Sequence, residues 1–239
     1  MRTVDTLADS FDTRLIAFCF DHPVLFRRQI FPGYKAHPGR THGDDPEMVK
    51  EKNRVREMID GLWKQMCRVD VDNVFRSPGM ESDDLMAKIA RTYSSQRDTF
   101  LILVSSDQDL YQCLSERVIL QGLQGKSVTA ASFRNKYHIL PEAWARVKAM
   151  AGCKTDGIKG IKGIGEVSAL KHIRGDVAFK GTKAYRNIIS VDGQEVIKRN
   201  RELVELPGRG CPQVQLVPEW SEKKWEELAV RLRIRKERR

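Results

Sequence analysis

Two short, nearly continuous apolar runs constrain this chain most. Thr13–Phe20 (TRLIAFCF) ends in Asp21, and Thr99–Val104 (TFLILV) runs into Ser105-Ser106-Asp107-Gln108-Asp109. A run that is apolar on both faces fits a buried parallel strand, because half-exposed antiparallel strands alternate. Shorter strands are predicted at Val71–Phe75 and Arg117–Leu120. Helical patterns fall between them. Residues 2–12 place Val4, Leu7, Ala8 and Phe11 on one side, and Val55, Met58, Ile59, Leu62, Trp63 and Met66 repeat as one stripe to be buried. This alternation predicts an α/β fold with a parallel sheet covered on both faces. Ligands in such sheets bind beyond the carboxyl ends of the strands, which is where Asp21, Asp107 and Asp109 fall.

A third acidic site is Glu81-Ser82-Asp83-Asp84, followed by Leu85, Met86, Ile89 and Ala90 at helical spacing. Ser82 is the expected N-cap, with Asp83 and Asp84 in the first turn, where the helix dipole tolerates negative charge. Acidic first turns are ordinary by themselves. Three such sites at strand ends converge only if their mutual repulsion is relieved, and a divalent cation does that. An all-carboxylate set suits Mg²⁺ or Mn²⁺.

The chain has 239 residues, with Lys+Arg 42 against Asp+Glu 32 and a net charge of +10. Since the acidic residues of the site are already subtracted, the remaining surface is more basic still, which points to a polyanionic partner. No apolar run approaches the ~20 residues of a membrane span, and none near Met1 resembles a signal peptide. The five cysteines (19, 67, 113, 153, 211) form no CxxC pair, which favours free thiols, a cytoplasmic location and no zinc site.

Phe26–Lys35 mixes aromatics with cations, as phosphate-facing segments do, and residues 36–46 are rich in breakers and read as a mobile loop. Lys50, Lys52, Arg54 and Arg56 fit a solvated face or a path for a nucleic-acid strand equally well. Beyond about residue 125 strand signals fade. Thr129 caps a helix to about Tyr137, Pro141–Ala151 forms another, and a helix is expected around Trp225, Leu228 and Leu232. The strongest local motif is Gly157-Ile158-Lys159-Gly160-Ile161-Lys162-Gly163-Ile164-Gly165, leading into a helix at Glu166–Ile173. Gly160, Gly163 and Gly165 permit a tight hairpin, the isoleucines anchor it, and Lys159 and Lys162 face phosphate. This is a helix-hairpin-helix pattern, which grips the DNA backbone without reading bases. The expected division is an α/β domain over 1–125, with an arch at about 33–66. A helical DNA-binding domain then covers 126–239, with the hairpin motif at about 150–173.

These motifs, in this order, resemble the 5′-nucleases: bacteriophage flap endonucleases and the 5′-nuclease domain of bacterial DNA polymerase I. The resemblance runs from about Phe18 to Ile173, and more loosely to Trp220. It rests on Phe20-Asp21, Phe26-Arg27…Tyr34-Lys35, Glu81-Ser82-Asp83-Asp84, Ser105-Ser106-Asp107-Gln108-Asp109 and Gly152-Cys153-Lys154-Thr155-Asp156. It implies a PIN-like (resolvase-like) nuclease domain followed by a helical H3TH domain. It also implies Mg²⁺- or Mn²⁺-dependent hydrolysis of DNA phosphodiesters near a 5′ end or flap. By the resemblance Asp21, Glu81 and Asp83 hold one ion, and Asp107, Asp109 and Asp156 a second. Asp84 lies nearby or bridges through water, and Arg27 and Lys35, with Arg40 as a stand-in for a family arginine, steer the phosphate.

Three departures accompany it. The family begins with a strand that precedes the helix matched by residues 2–12, so a missing first strand, supplied by a longer product or by another chain, is expected. Cys153 stands where the family has an aspartate, and Pro38 where it has an arginine. A DNA-junction binder without full metal competence, and a PIN-type ribonuclease, are the competing readings; the hairpin at 157–165 argues against the second. A polymerase is a further possible partner.

Overall fold

A computed structural model describes residues 2–36, 46–96, 98–218 and 220–233. The first half alternates as expected: α1 (Arg2–Ser10), β1 (Phe18–Phe20), the short α2 (Arg27–Ile30), α3 (Pro46–Arg68), β2 (Val74–Arg76), α4 (Ser82–Tyr93), β3 (Leu101–Val104) and β4 (Val118–Gln121). A 3-10 turn, Gln108–Cys113, lies between β3 and β4, and β5 (Ser127–Val128) follows. The second half is helical: α5 (Ala130–Tyr137), α6 (Trp144–Ala151), α7 (Glu166–Arg174), α8 (Val177–Lys180), α9 (Lys183–Ile189), α10 (Val191–Val204) and α11 (Glu222–Arg231). A small hairpin of β6 (Gly152–Cys153) and β7 (Ile158–Lys159) separates α6 from α7. Among the described residues no helix is long and apolar enough to cross a membrane.

The strands are shorter than their apolar runs. Of Thr13–Phe20 only Phe18–Phe20 pairs, in parallel with Val74–Arg76. β3 pairs in parallel with β4, which turns antiparallel to β5. The expected single sheet is therefore two parallel pairs among the described residues. What joins them is α4: Leu85 and Ile89 pack against Cys19 and Phe75 from one pair and Leu101 from the other. Both pairs thus aim their carboxyl ends, and the acidic residues there, at one end of α4. The largest core draws side chains from both sides of residue 125, from Ala87 and Leu103 to Ile188 and Leu206. Tyr111, Phe133, Tyr137 and Trp144 interlock within it, Phe133 and Trp144 edge to face at 5.6 Å. That aromatic cluster fixes the 3-10 turn against α6.

The apolar stripe of α3 is only partly buried. Met66 is 1% exposed, whereas Met58 and Ile59 are 64% and 50% exposed. The last turns alone meet a partner: Met66, with Leu62 and Trp63 beside it, packs with Phe20, Val69 and Leu228. Periodicity reports one apolar face and cannot report whether anything lies opposite. The terminal helix α11 is where it was expected, with Leu228 fully buried and Trp225 stacked on Phe18 at 5.7 Å.

In the glycine-rich motif Ile158, Ile161 and Ile164 are buried and Lys159 and Lys162 exposed, as the alternation implied. The β-hairpin itself lies earlier than expected, with its turn at 154–157. Residues 160–165 form the loop into α7, whose N-cap is Gly165. Gly160 is required by close approach: a Cβ there would lie 2.3 Å from the Ala151 carbonyl. Gly163, at φ +79° with open space around it, is required by conformation alone. Gly160→Ala should therefore destabilise the chain by about 3 kcal/mol or more, since backbone must move. Gly163→Ala should cost about 1–2 kcal/mol, and urea unfolding of the two variants measures the difference.

Candidate metal centre

The N-terminus of α4 is built one residue earlier than Ser82 suggests. Glu81 is the N-cap, because Asp84 reaches back and its Oδ2 accepts the Glu81 backbone N–H at 3.1 Å. Ser82 becomes the first helical residue, and its N–H donates to Asp21 Oδ1 at 2.7 Å. The end of β1 is thereby tied to the start of α4.

Asp84 is fully buried and faces Arg27, itself 4% exposed. Arg27 Nη1 and Nη2 donate to the two Asp84 oxygens at 2.6 and 2.7 Å, a bidentate pair. The remaining guanidinium donors reach Glu81 Oε2 at 3.1 Å, the Leu203 carbonyl at 2.9 Å and the Glu205 carbonyl at 3.2 Å. The Gly208 N–H adds a bond to Asp84 Oδ1 at 2.6 Å. Burial pushes the Asp84 carboxyl up, but the Arg27 hydrogen bonds and charge outweigh it and hold it below its usual range. This corrects two expectations. Asp84 has no lone pair directed at the cleft for a metal, and Arg27 has no donor left for a phosphate. Their roles were invisible in the sequence because they stand 57 positions apart.

Glu81 Oε2 accepts from Tyr34 Oη at 2.7 Å, and Oε1 is in close contact with Lys35 Nζ. Lys35 is placed by its backbone, at φ +53°, with its N–H donating to the Asp156 carbonyl at 2.8 Å. Tyr34 was not anticipated as a site residue; an aromatic in a basic segment reads as core, and it is that too.

Lys35, Glu81, Asp83, Asp107, Asp109 and Asp156 line one cleft, with Asp21 at its margin. Asp83 is pushed up to about 7, first by burial and then by Asp107, Asp21 and Glu81, with Lys35 opposing. Asp107 caps the 3-10 turn by accepting the Asp109 N–H at 2.8 Å. Asp109 Oδ1 is buried and lies 3.1 Å from Lys148 Nζ, an ion-pair distance without an aligned hydrogen bond. Burial raises Asp109, with Lys148 opposing. Lys148, on α6, is a site residue that no spacing signalled. Asp109, Cys153 and Asp156 each present a ligand atom within 4.8 Å of the others. The expected Arg40 lies outside the described residues. Lys159, Gly160, Lys162, Gly163 and Gly165 belong to the hairpin loop and do not line the cleft.

The donors sort into two chemistries. Asp83 and Asp107, which line the cleft, offer oxygen alone, which fits a hard divalent cation; burial first, and then the charge of Asp107, raises the Asp83 carboxyl. The Asp109–Cys153–Asp156 group includes sulfur and fits Mg²⁺ poorly.

Residues 1–138 match the family described as 5'-3' exonuclease, N-terminal resolvase-like domain, and the chain belongs to that family. It is 36% identical over 164 residues to the thermostable DNA polymerase I of Thermus thermophilus, an alignment covering 68% of this chain and 18% of that one. It is 31% identical over 152 residues to a 5'-3' exonuclease of Halalkalibacterium halodurans, covering 62% and 46% respectively. The alignments thus span about a fifth of the polymerase and about half of the exonuclease. Among solved structures, the bacteriophage T5 D15 protein co-crystallized with metal ions superposes with a TM-score of 0.72 at 23% identity, over 86% of this chain and 81% of that one. A T5 D15 flap endonuclease pseudo-enzyme-product complex with DNA and metal ions also scores 0.72, at 23% identity over 86% of this chain and 79% of that one.

Without a divalent cation, folded Asp83 keeps a proton up to about 7, whereas the unfolded carboxyl releases it near 3.8. Stability then falls as pH rises across that window and levels off above it. Melting in chelator at about pH 5 and about pH 8 should show this loss, and Asp83→Asn should shrink it. Arg27→Met should cost about 3–5 kcal/mol in urea unfolding, because it strands the buried Asp84 charge. Adding Asp84→Leu to that variant should restore much of the loss.

Proposed function

We propose that this chain is a structure-specific 5′-nuclease, a 5′-3′ exonuclease and flap endonuclease that hydrolyses DNA phosphodiesters with two divalent cations. The observation that carries this reading is the convergence of Asp83, Asp107, Asp109 and Asp156 on one cleft beside Lys35. Family membership supports the reaction class, and the metal-bearing T5 structures support cation dependence. Asp21, Asp83 and Asp107 would hold Mg²⁺ or Mn²⁺. When bound, the ions supply charge for the developing phosphorane and lower the pKa of an attacking water. Glu81, pinned by Tyr34 and Arg27, keeps Lys35 at the cleft, where its ammonium would meet the scissile phosphate. The loop at 160–165, with Lys159 and Lys162 outward and the N-terminus of α7 behind it, would grip the duplex backbone regardless of sequence. The polymerase relatives suggest that the chain acts on strands that a polymerase has displaced.

A second reading, a junction binder that does not cut, is favoured by Lys148 at Asp109 and by Cys153 in the donor set. A 5′-flap DNA with Mg²⁺ or Mn²⁺ separates the two. Cleavage is expected, and Asp83→Ala should lower its rate about 100-fold or more while flap affinity stays close to that of the unaltered chain. Flap binding with no cleavage under either cation would establish the second reading, and equal loss of binding and cleavage in the variant would remove Asp83 from the reaction.

A further inference from the structure

Cys153 begins as a small apolar filler. It sits on β6, buried, against a cluster that includes Leu25, Tyr34, Ala145 and Ile158. Its sulfur is not turned to that cluster alone. Sγ lies 3.0 Å from Thr155 Oγ1 and 3.5 Å from Asp156 Oδ2, and it shares a 4.8 Å neighbourhood with Asp109. A tetrahedral transition-metal site with one sulfur and two oxygen ligands needs ligand atoms roughly 3.4–3.7 Å apart, from bond lengths near 2.3 and 2.1 Å. The Cys153–Asp156 pair already meets that separation.

The backbone holds the pair there. Cys153 is fixed opposite Ile158 in the hairpin, and the Asp156 N–H donates to the Cys153 carbonyl at 3.2 Å. The third donor comes from the 3-10 turn that the aromatic core clamps. Asp109 contributes one oxygen to the group, and its buried Oδ1 lies 3.1 Å from Lys148 Nζ, the counter-charge that balances it. Lys148 has a long, flexible stem and can withdraw as a cation arrives.

We infer that Asp109, Cys153 and Asp156 form a site for a thiophilic divalent transition ion of the Zn²⁺ class, distinct in preference from the all-oxygen Asp21–Asp83–Asp107 set. Thiolate selects Zn²⁺ and Co²⁺ strongly over Mg²⁺, whereas three carboxylates do not. Binding breaks the S–H bond and forms the metal–sulfur bond, with the proton leaving to solvent. Three protein donors leave a fourth position for water or a phosphate oxygen. The scattered cysteines exclude an all-cysteine zinc site, and this mixed set is a different case. The assignment stands on metal binding and holds whether or not the chain cuts DNA.

The test uses the full chain, metal-stripped, reduced and without DNA, titrated with Co²⁺. The expected result is a near-ultraviolet sulfur-to-cobalt charge-transfer band. Zn²⁺ should displace it and excess Mg²⁺ should not. Cys153→Ser should abolish the band while keeping the other four cysteines. It should weaken Zn²⁺ binding by more than the about 10–100-fold that losing an outer-sphere partner costs. Cys153→Asp, checked for folding by circular dichroism, should lose the band and the preference for Zn²⁺ over Mg²⁺. Absence of the band in the unaltered chain, its survival in Cys153→Ser, or its displacement by Mg²⁺ as readily as by Zn²⁺ would each overturn the proposal. If neither variant folds, the Zn²⁺ and Mg²⁺ competition on the unaltered chain decides.

Discussion

The buried pair between Arg27 and Asp84 is the joint on which the cleft depends. A carboxylate with no exposure is costly unless its charge and lone pairs are met, and here two guanidinium bonds and two backbone N–H groups meet them. The donors come from α2, the start of α4 and the chain after α10, so satisfying one charge brings three distant segments together. Glu81 is oriented by the same guanidinium, and through Glu81 so is Lys35. Strip out this pair and α2, the start of α4 and the chain after α10 lose the charge that joins them, and Glu81 loses one of the groups that orient it.

Around that joint the site balances repulsion against placement. Asp83 and Asp109 are kept partly desolvated and close to other carboxylates, which costs stability in the absence of a cation. Lys35 offsets part of that cost at Asp83, and Lys148 at Asp109. The arrangement resembles a socket with provisional counter-charges, each carried on a flexible stem able to yield to a better ligand.

Much of this was legible in the chain because it is local. The apolar runs, the acidic residues that end them, the Thr129 cap and the alternation of isoleucine and lysine at 158–164 all act through near neighbours. What was not legible acts across distance. Asp83 and Asp84 are adjacent and chemically identical, yet one faces the cleft and the other Arg27; only the packing of α2 distinguishes them. Lys148 has no signal in a helix whose other faces also carry charge. The stripe of α3 stays half exposed because an apolar face implies a partner without supplying one. The stretch 207–217 has no periodicity at all, yet Val214 is buried beneath α4, and the Asn73 side chain brackets Val217 through both its backbone N–H and carbonyl at 2.8 and 2.9 Å.

That late stretch bears on how the molecule comes into being. Arg27 reaches the Leu203 and Glu205 carbonyls, Asp84 the Gly208 amide, and Phe18 its stacking partner Trp225. A ribosome delivers each of these groups well after the residue it meets. While the early strands and α4 emerge, the charge on Asp84 lacks a full complement of donors, and the apolar side of β1 lacks its cover. The acidic cleft is therefore closed only once the chain through Gly208 has been made. Until then the acidic residues are on the chain but not yet in their final arrangement.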